Sequence, residues 1–279
     1  MIRLRLMSVK PLNVFDSREC RLGEGPHYDE RTDRVYWVDI LNSLILWRTF
    51  DGSDSGSIHM AAHIGAVVPR ANGGLAACLP EGILDINSGD WLARYPGPTE
   101  GLRSNDAKAD PRGRLWHGTM AYDEGDGRGS LYRLDPGTSE TRLMLPAATV
   151  SNGMGWSPDG QTMYYIDSPT RRVDAFDFDM DTGTIEGRRP FVTIGDGFPD
   201  GMCVDAEGGV WVAIWLGHKV IRYLPDGSAD RVLELPVPKV TCPTFAGPAL
   251  DTLIVTTVGP TYSFQIDDVR GTPVDRFAG

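Results

Sequence analysis

The sequence predicts an all-β protein, a six-bladed β-propeller. Three observations carry that reading. Six strand-like segments, most of them rich in aromatic and β-branched residues, recur at near-constant spacing. Turn-forming residues are abundant, with 33 Gly and 20 Pro among 279 residues, which favours many short strands over a helical bundle. Four oxygen-bearing side chains hold almost the same position in four of the repeats.

The recurring segments are RVYWVDI, GLAACL, RLWHGTM, TMYYID, GVWVAIW and TLIVTT. Anchored at Tyr36, Leu75, Trp116, Tyr164, Trp211 and Ile254, they lie 39, 41, 48, 47 and 43 residues apart. Most follow a turn rich in Gly or Asp, such as DPRG, SPDG or DAEGG. Each is followed by a second strand-like run: LILWRTF, GILDI, GSLYRL, RVDAFDF, KVIRYL or TYSFQI. A shorter piece precedes each: EGPHYD, AVVPRA, NDAKAD, NGMGWS, DGMCVD or CPTFAG. Repeats of this length with about four strands each are propeller blades. Six of them use nearly the whole chain, so residues 1–279 are expected to form one domain. A β-sandwich is disfavoured, because six similar units are too many for one. A strand near residues 12–16 is expected to pair into the last blade, since closure removes free edges.

Composition narrows the function. The net charge is −11 at pH 7, so nucleic acid and anionic membranes are poor partners. Cys20, Cys78, Cys203 and Cys242 show no CxxC spacing and read as buried reduced thiols. MIRLRLMSVK lacks the apolar run of a signal peptide, and a cytoplasmic location is expected. There is no GxSxG and no P-loop, so a serine hydrolase or an NTPase is not supported.

In a propeller the first strand of each blade lines the channel. Glu24 precedes its anchor by 12 residues, Asn105 by 11, Asn152 by 12 and Asp200 by 11. The four side chains are therefore expected to converge at one mouth of a central channel. Two carboxylates and two amides form a hard oxygen site suited to Ca, Mg or Mn, and able to take Zn. Taken singly, Asn152-Gly153 and Asp200-Gly201 are also turn dipeptides; the shared register favours the site.

GEGP (23–26), RSND (103–106), GTMA (118–121), SNGMGWSPDG (151–160) and PDGMCVDAEG (199–208) resemble the SMP-30/gluconolactonase/regucalcin-like family over nearly the whole chain. The resemblance implies a propeller with one divalent cation in its channel and hydrolysis of sugar lactones to aldonic acids. It implies Glu24, Asn152 and Asp200 as metal ligands and Asp200 as general base. Arg103 and Asn105 match substrate-contacting residues, and Asp123 a position where some members carry a substrate-binding Glu. The small-molecule lactone is the expected partner, and the chain is expected to be a monomer or small homo-oligomer. An organophosphate hydrolase on the same site and a calcium-binding regulatory protein without turnover are the alternatives.

Overall fold

The computed structural model describes residues 12–279. The N-terminal stretch on which the signal-peptide reading rests lies outside the described residues. After β1 (Asn13–Cys20) the chain lays down five antiparallel sheets of four strands in sequence order. The first is β2 (Gly23–Asp29), β3 (Arg34–Asp39), β4 (Leu44–Thr49) and β5 (Ser55–His59). The second is β6 (Ala66–Pro69), β7 (Leu75–Leu79), β8 (Gly82–Asp85) and β9 (Trp91–Arg94). The third is β10 (Leu102–Ala109), β11 (Leu115–Ala121), β12 (Gly129–Leu134) and β13 (Thr141–Ala148). The fourth is β14 (Ser151–Trp156), β15 (Thr162–Asp167), β16 (Arg172–Phe178) and β17 (Ile185–Thr193). The fifth is β18 (Phe198–Val204), β19 (Val210–Trp215), β20 (Lys219–Tyr223) and β21 (Ala229–Glu234). The sixth takes β22 (Val240–Ala246), β23 (Thr252–Thr257) and β24 (Gly259–Gln265), and β1 completes it by pairing with β24. The expected N-terminal strand is thus present and runs on to Cys20.

All six anchors fall in the second strand of a blade, and the runs before and after them are the first and third strands. The first strands form a ring: β2 packs beside β6 and β22, β10 beside β6 and β14, and β18 beside β14 and β22. The apolar core is divided accordingly into six wedges, one between each pair of neighbouring blades. Tyr36, Val38 and Ile45 of the first blade meet Val67 and Ala77 of the second. Trp116 and Leu131 of the third meet Met154 and Tyr165 of the fourth. The ring closes where Phe15 and Ile254 of the sixth blade pack with Trp37 and Val35 of the first. Each fully buried large side chain contributes roughly 1.5–3 kcal/mol, so six wedges offset the loop-closure entropy of a strongly non-local topology.

The recurring turns have a physical cause. Asp110 accepts the backbone N–H groups of Arg112 and Arg114 through Oδ1, and the Trp116 indole N–H through Oδ2 at 2.9 Å. Asp205 does the same with Glu207, Gly209 and Trp211. One fully buried carboxylate at each site thus shapes a hairpin and ties it to the anchor tryptophan six residues on.

Beyond β24 the chain lies across these same turns. Ala206 N–H donates to Arg270 O, Gly271 N–H to Leu250 O, Phe277 N–H to Pro69 O, and Ala278 N–H to Gly113 O. Arg276 reaches Glu30 Oε1 at 2.9 Å, and Phe277 is buried between the second and third blades. The tail therefore straps turns of five blades at one mouth of the ring.

Candidate metal and substrate site

The other mouth holds the polar residues singled out above, and backbone irregularities put them there. In β2 the pairing steps from Glu24–Val38 to His27–Tyr36, so two residues oppose one. The same bulge follows Ser104 in β10, Ser151 in β14 and Pro199 in β18. Asn105, Asn152 and Asp200 are each the first residue of a bulge, and Glu24 immediately precedes one. A bulge re-aims a side chain that a regular ladder would leave in the sheet face. β6, with AVVP, keeps a regular register and carries no polar side chain.

Asn152-Gly153 and Asp200-Gly201 make no turn; both lie inside strands. Gly153 is needed for close approach, since a Cβ there would sit 2.6 Å from the Asp200 carbonyl oxygen on the neighbouring strand.

Glu24, Arg103, Asn105, Asn152 and Asp200 all border one cavity of about 190 Å³ and are all buried. It has room for a small molecule. Its rim is mainly apolar, with Met120, Val150, Pro169, Phe198 and Trp215.

Asn152 is the informative residue. Its Nδ2 donates to Ser168 Oγ at 3.1 Å and to Asp200 Oδ1. With the amide nitrogen engaged, Oδ1 is left buried and without a partner. Such an oxygen is costly unless something satisfies it. Glu24 and Asp200 beside it are buried carboxylates. Burial pushes the Glu24 carboxyl well above its ordinary range, with the charges of Asp200 and Asp106 adding to the rise. Burial likewise pushes Asp200 up to about 8, against the stabilising Asn152 hydrogen bond. Two carboxylates that resist ionising, with an orphan amide oxygen, fit a divalent cation. Among the described residues no group of three or more His, Cys, Asp or Glu side chains is gathered for a metal; here the third donor is an amide.

Asn105 reaches the same cavity, yet both ends of its amide are occupied. Its Oδ1 accepts from Arg103 Nη1 at 2.8 Å, and its Nδ2 donates to Ser151 O at 2.9 Å. It therefore fixes Arg103 and links β10 to β14. Arg103 Nη1 also donates to Ser104 O at 3.0 Å, so the guanidinium is held from one side.

The structure does not bring Asp123 to the cavity. It is exposed, and Arg128 Nη1 holds both its oxygens at 2.9 Å. Glu124 borders the cavity instead, from a left-handed backbone with φ of 53° that turns it away from its neighbour. Two further residues escaped the sequence reading. Asp106 is 3% exposed with Oδ2 unpartnered, close enough for its charge to reach Glu24 and Asp200. Ser168 orients the Asn152 amide.

Residues 22–259 match the family described as SMP-30/Gluconolactonase/LRE-like region. The chain belongs to that family. It is 36% identical over 251 residues to pentonolactonase XacC of Haloferax volcanii, covering 86% of this chain and 82% of that protein. It is 35% identical over 262 residues to regucalcin of Xenopus laevis, covering 90% and 87%. A solved calcium-binding protein, regucalcin of Agrobacterium tumefaciens, superposes with a TM-score of 0.88 at 27% identity, covering 95% of this chain and 96% of that one. The propeller expectation stands. Among the described residues no helix is long and apolar enough to cross a membrane.

Proposed function

We propose that this chain hydrolyses a sugar lactone to the aldonic acid, with Glu24, Asn152 and Asp200 holding one divalent cation. The observation that carries the reading is the buried, unpartnered Asn152 Oδ1 beside two carboxylates. The name of the Haloferax relative, a pentonolactonase, and a small cavity with polar groups at its base and an apolar rim support the substrate class. A bound divalent cation supplies Lewis-acid polarisation of a carbonyl oxygen.

The chain's own residues do the rest. The Asp200 carboxylate takes a proton from the attacking water. The water oxygen adds to the lactone carbonyl carbon, the ring C–O bond breaks, and the ring oxygen leaves as a hydroxyl carrying a proton returned by Asp200. Arg103, braced by Asn105, offers donors to the oxyanion or to substrate hydroxyls. Glu124 accepts a hydroxyl at the rim. Phe198 and Trp215 cover the apolar ring face and limit water access. In this reading the protein acts in the cytoplasm on a small molecule.

The test is a panel of five- and six-membered aldonolactones followed by acid release, with spontaneous hydrolysis subtracted. Turnover should vanish with chelator and return with Ca, Mn, Zn or Mg. Turnover that persists in chelator overturns the metal assignment. Tight cation binding with no turnover on any lactone overturns the enzymatic one in favour of a calcium-binding protein.

A further inference from the structure

With Glu24, Asn152 and Asp200 given to the cation, few polar groups of the cavity remain for a substrate. Asn105 is occupied at both ends of its amide. Arg103 Nη1 is spent on Ser104 O and Asn105 Oδ1, which leaves Nη2 and Nε. Ser168 Oγ accepts from Asn152 Nδ2 and keeps its own hydrogen. Glu124 and the Trp215 indole N–H complete the side-chain groups of the lining that can meet substrate oxygens. Of these only the Glu124 carboxylate and Ser168 Oγ can accept from a hydroxyl. A sugar lactone carries more hydroxyls than these two acceptors can serve well.

The rest of the lining is apolar and comes from four blades. Leu22 lies just ahead of β2, Met120 in β11, Val150 just ahead of β14, and Phe198 and Trp215 in β18 and β19. The apolar surface continues outside the cavity, on the turns of the same mouth. Leu216, next to Trp215 and left-handed at a φ of 61°, is 49% exposed. Tyr122, between the lining residues Met120 and Glu124, is equally exposed, with its hydroxyl 3.0 Å from His63 Nδ1. Leu41 is exposed beside Ile40, whose N–H donates to Leu22 O. These are three of the seven large hydrophobic side chains exposed among the described residues. Scattered exposed hydrophobic residues need no explanation, but a group of them continuous with a cavity marks a surface for an apolar ligand.

We propose that this site also opens γ-lactones that carry an alkyl chain, with the chain seated on Leu22, Val150, Phe198 and Trp215. The inference rests on the lactonase reading and adds a substrate class to it. The lactone carbonyl has to reach Arg103 and Asp200 at the base of the cavity. The ring carbon beyond the ring oxygen then directs its substituent to the rim. A hydroxylated substituent there exchanges water for apolar side chains and loses hydrogen bonds, whereas an alkyl chain loses none and buries apolar area. The step is the same hydrolysis. The water oxygen adds to the acyl carbon, the ring C–O bond breaks, the ring oxygen takes up a proton, and a 4-hydroxy acid leaves; water is the only co-reactant.

The experiment is acid release by the full chain from γ-valerolactone, γ-hexalactone and γ-heptalactone, beside xylono-γ-lactone. Ca, Mn, Zn and Mg are supplied in turn, and spontaneous hydrolysis is subtracted. kcat/KM should rise about threefold to fourfold for each carbon added, the scale of burying one methylene. Val150→Thr, which keeps the shape and adds a hydroxyl, should lower the ratio of γ-heptalactone to γ-valerolactone about twofold to fivefold. Leu22→Asn, on another blade, should lower the same ratio and covers the case in which Val150→Thr fails to fold. By ligand-observed NMR, 2-propylcyclopentanone, which has no ester to open, should touch the protein through its propyl protons, and less so in either variant. Turnover of xylono-γ-lactone with a flat or falling alkyl series overturns this proposal and leaves the lactonase reading standing. A ratio unchanged in both folded variants, or a propyl group that makes no contact, also overturns it. No turnover of any lactone overturns the lactonase reading and this proposal with it.

Discussion

Replacing Asp200 by Asn should separate turnover from stability, with opposite signs. Held at about 8 instead of the ordinary 3.8, the Asp200 carboxyl keeps its proton in the folded, metal-free protein over a range where the unfolded chain has lost it. A carboxyl raised on folding makes stability fall as pH rises between about 4 and about 8, at up to about 1.4 kcal/mol per pH unit. The two carboxyls titrate as a pair, with the Asp200 charge adding to the rise at Glu24. Asn has no charge to bury, keeps an oxygen for the Asn152 amide, and relieves Glu24. Chelated Asp200→Asn should therefore match or exceed the chelated wild type in melting temperature at pH 8, and its pH slope should be shallower. At saturating cation its turnover should still fall about 10²–10⁴-fold, the usual worth of a general base. The assay pairs melting curves in chelator from pH 5 to 8.5 with lactone hydrolysis at a cation concentration shown to saturate the variant. Near-wild-type turnover would remove Asp200 from the chemistry. A chelated wild type that gains stability from pH 5 to 8 would refute the electrostatic account.

Glu124→Gln should raise KM for a polyhydroxylated lactone several-fold while Asp123→Asn changes it little, because an exposed ion pair such as Asp123–Arg128 contributes about 0–1 kcal/mol; steady-state kinetics of the two variants decide. Cation uptake near pH 6.5 should release protons from Glu24 and Asp200, so affinity should rise with pH and the calorimetric enthalpy should vary with buffer ionisation enthalpy. Asp205→Ala should cost about 1–3 kcal/mol in urea unfolding, since it leaves the buried Trp211 indole N–H without its acceptor while Arg222 keeps Asp230 and Glu207, and lactone turnover per folded molecule should be unchanged.

The inner three strands were legible because the first and second strands are largely buried and apolar, and the third strands alternate apolar with polar residues. Of the outer strands only β1 was anticipated. β5 reads SGSIH and is mostly exposed, and β17 carries Pro190 on an exposed edge, so neither shows an apolar pattern. Register within the first strands brought Glu24, Asn105, Asn152 and Asp200 to one place, and the family resemblance added Arg103. The resemblance pointed to Asp123 in the loop after β11, where the left-handed Glu124 borders the cavity and Asp123 pairs with Arg128. Asp106 was hidden for a different reason. Next to Asn105 in a regular strand it would face away, and only the bulge turns both residues inward.

The ring closure also sets an order of events. β1 is synthesised before every other strand of the ring, and its partner β24 after all of them. Glu24 belongs to β2 and Asp200 to β18, and the strand between them in the ring is β22 of the unfinished sixth blade. A nascent chain of five blades would thus carry every candidate ligand without the strand that closes them around one channel. Cation affinity then reports completion of the circle, and a chain stalled before residue 240 should bind the ion no better than its unfolded form.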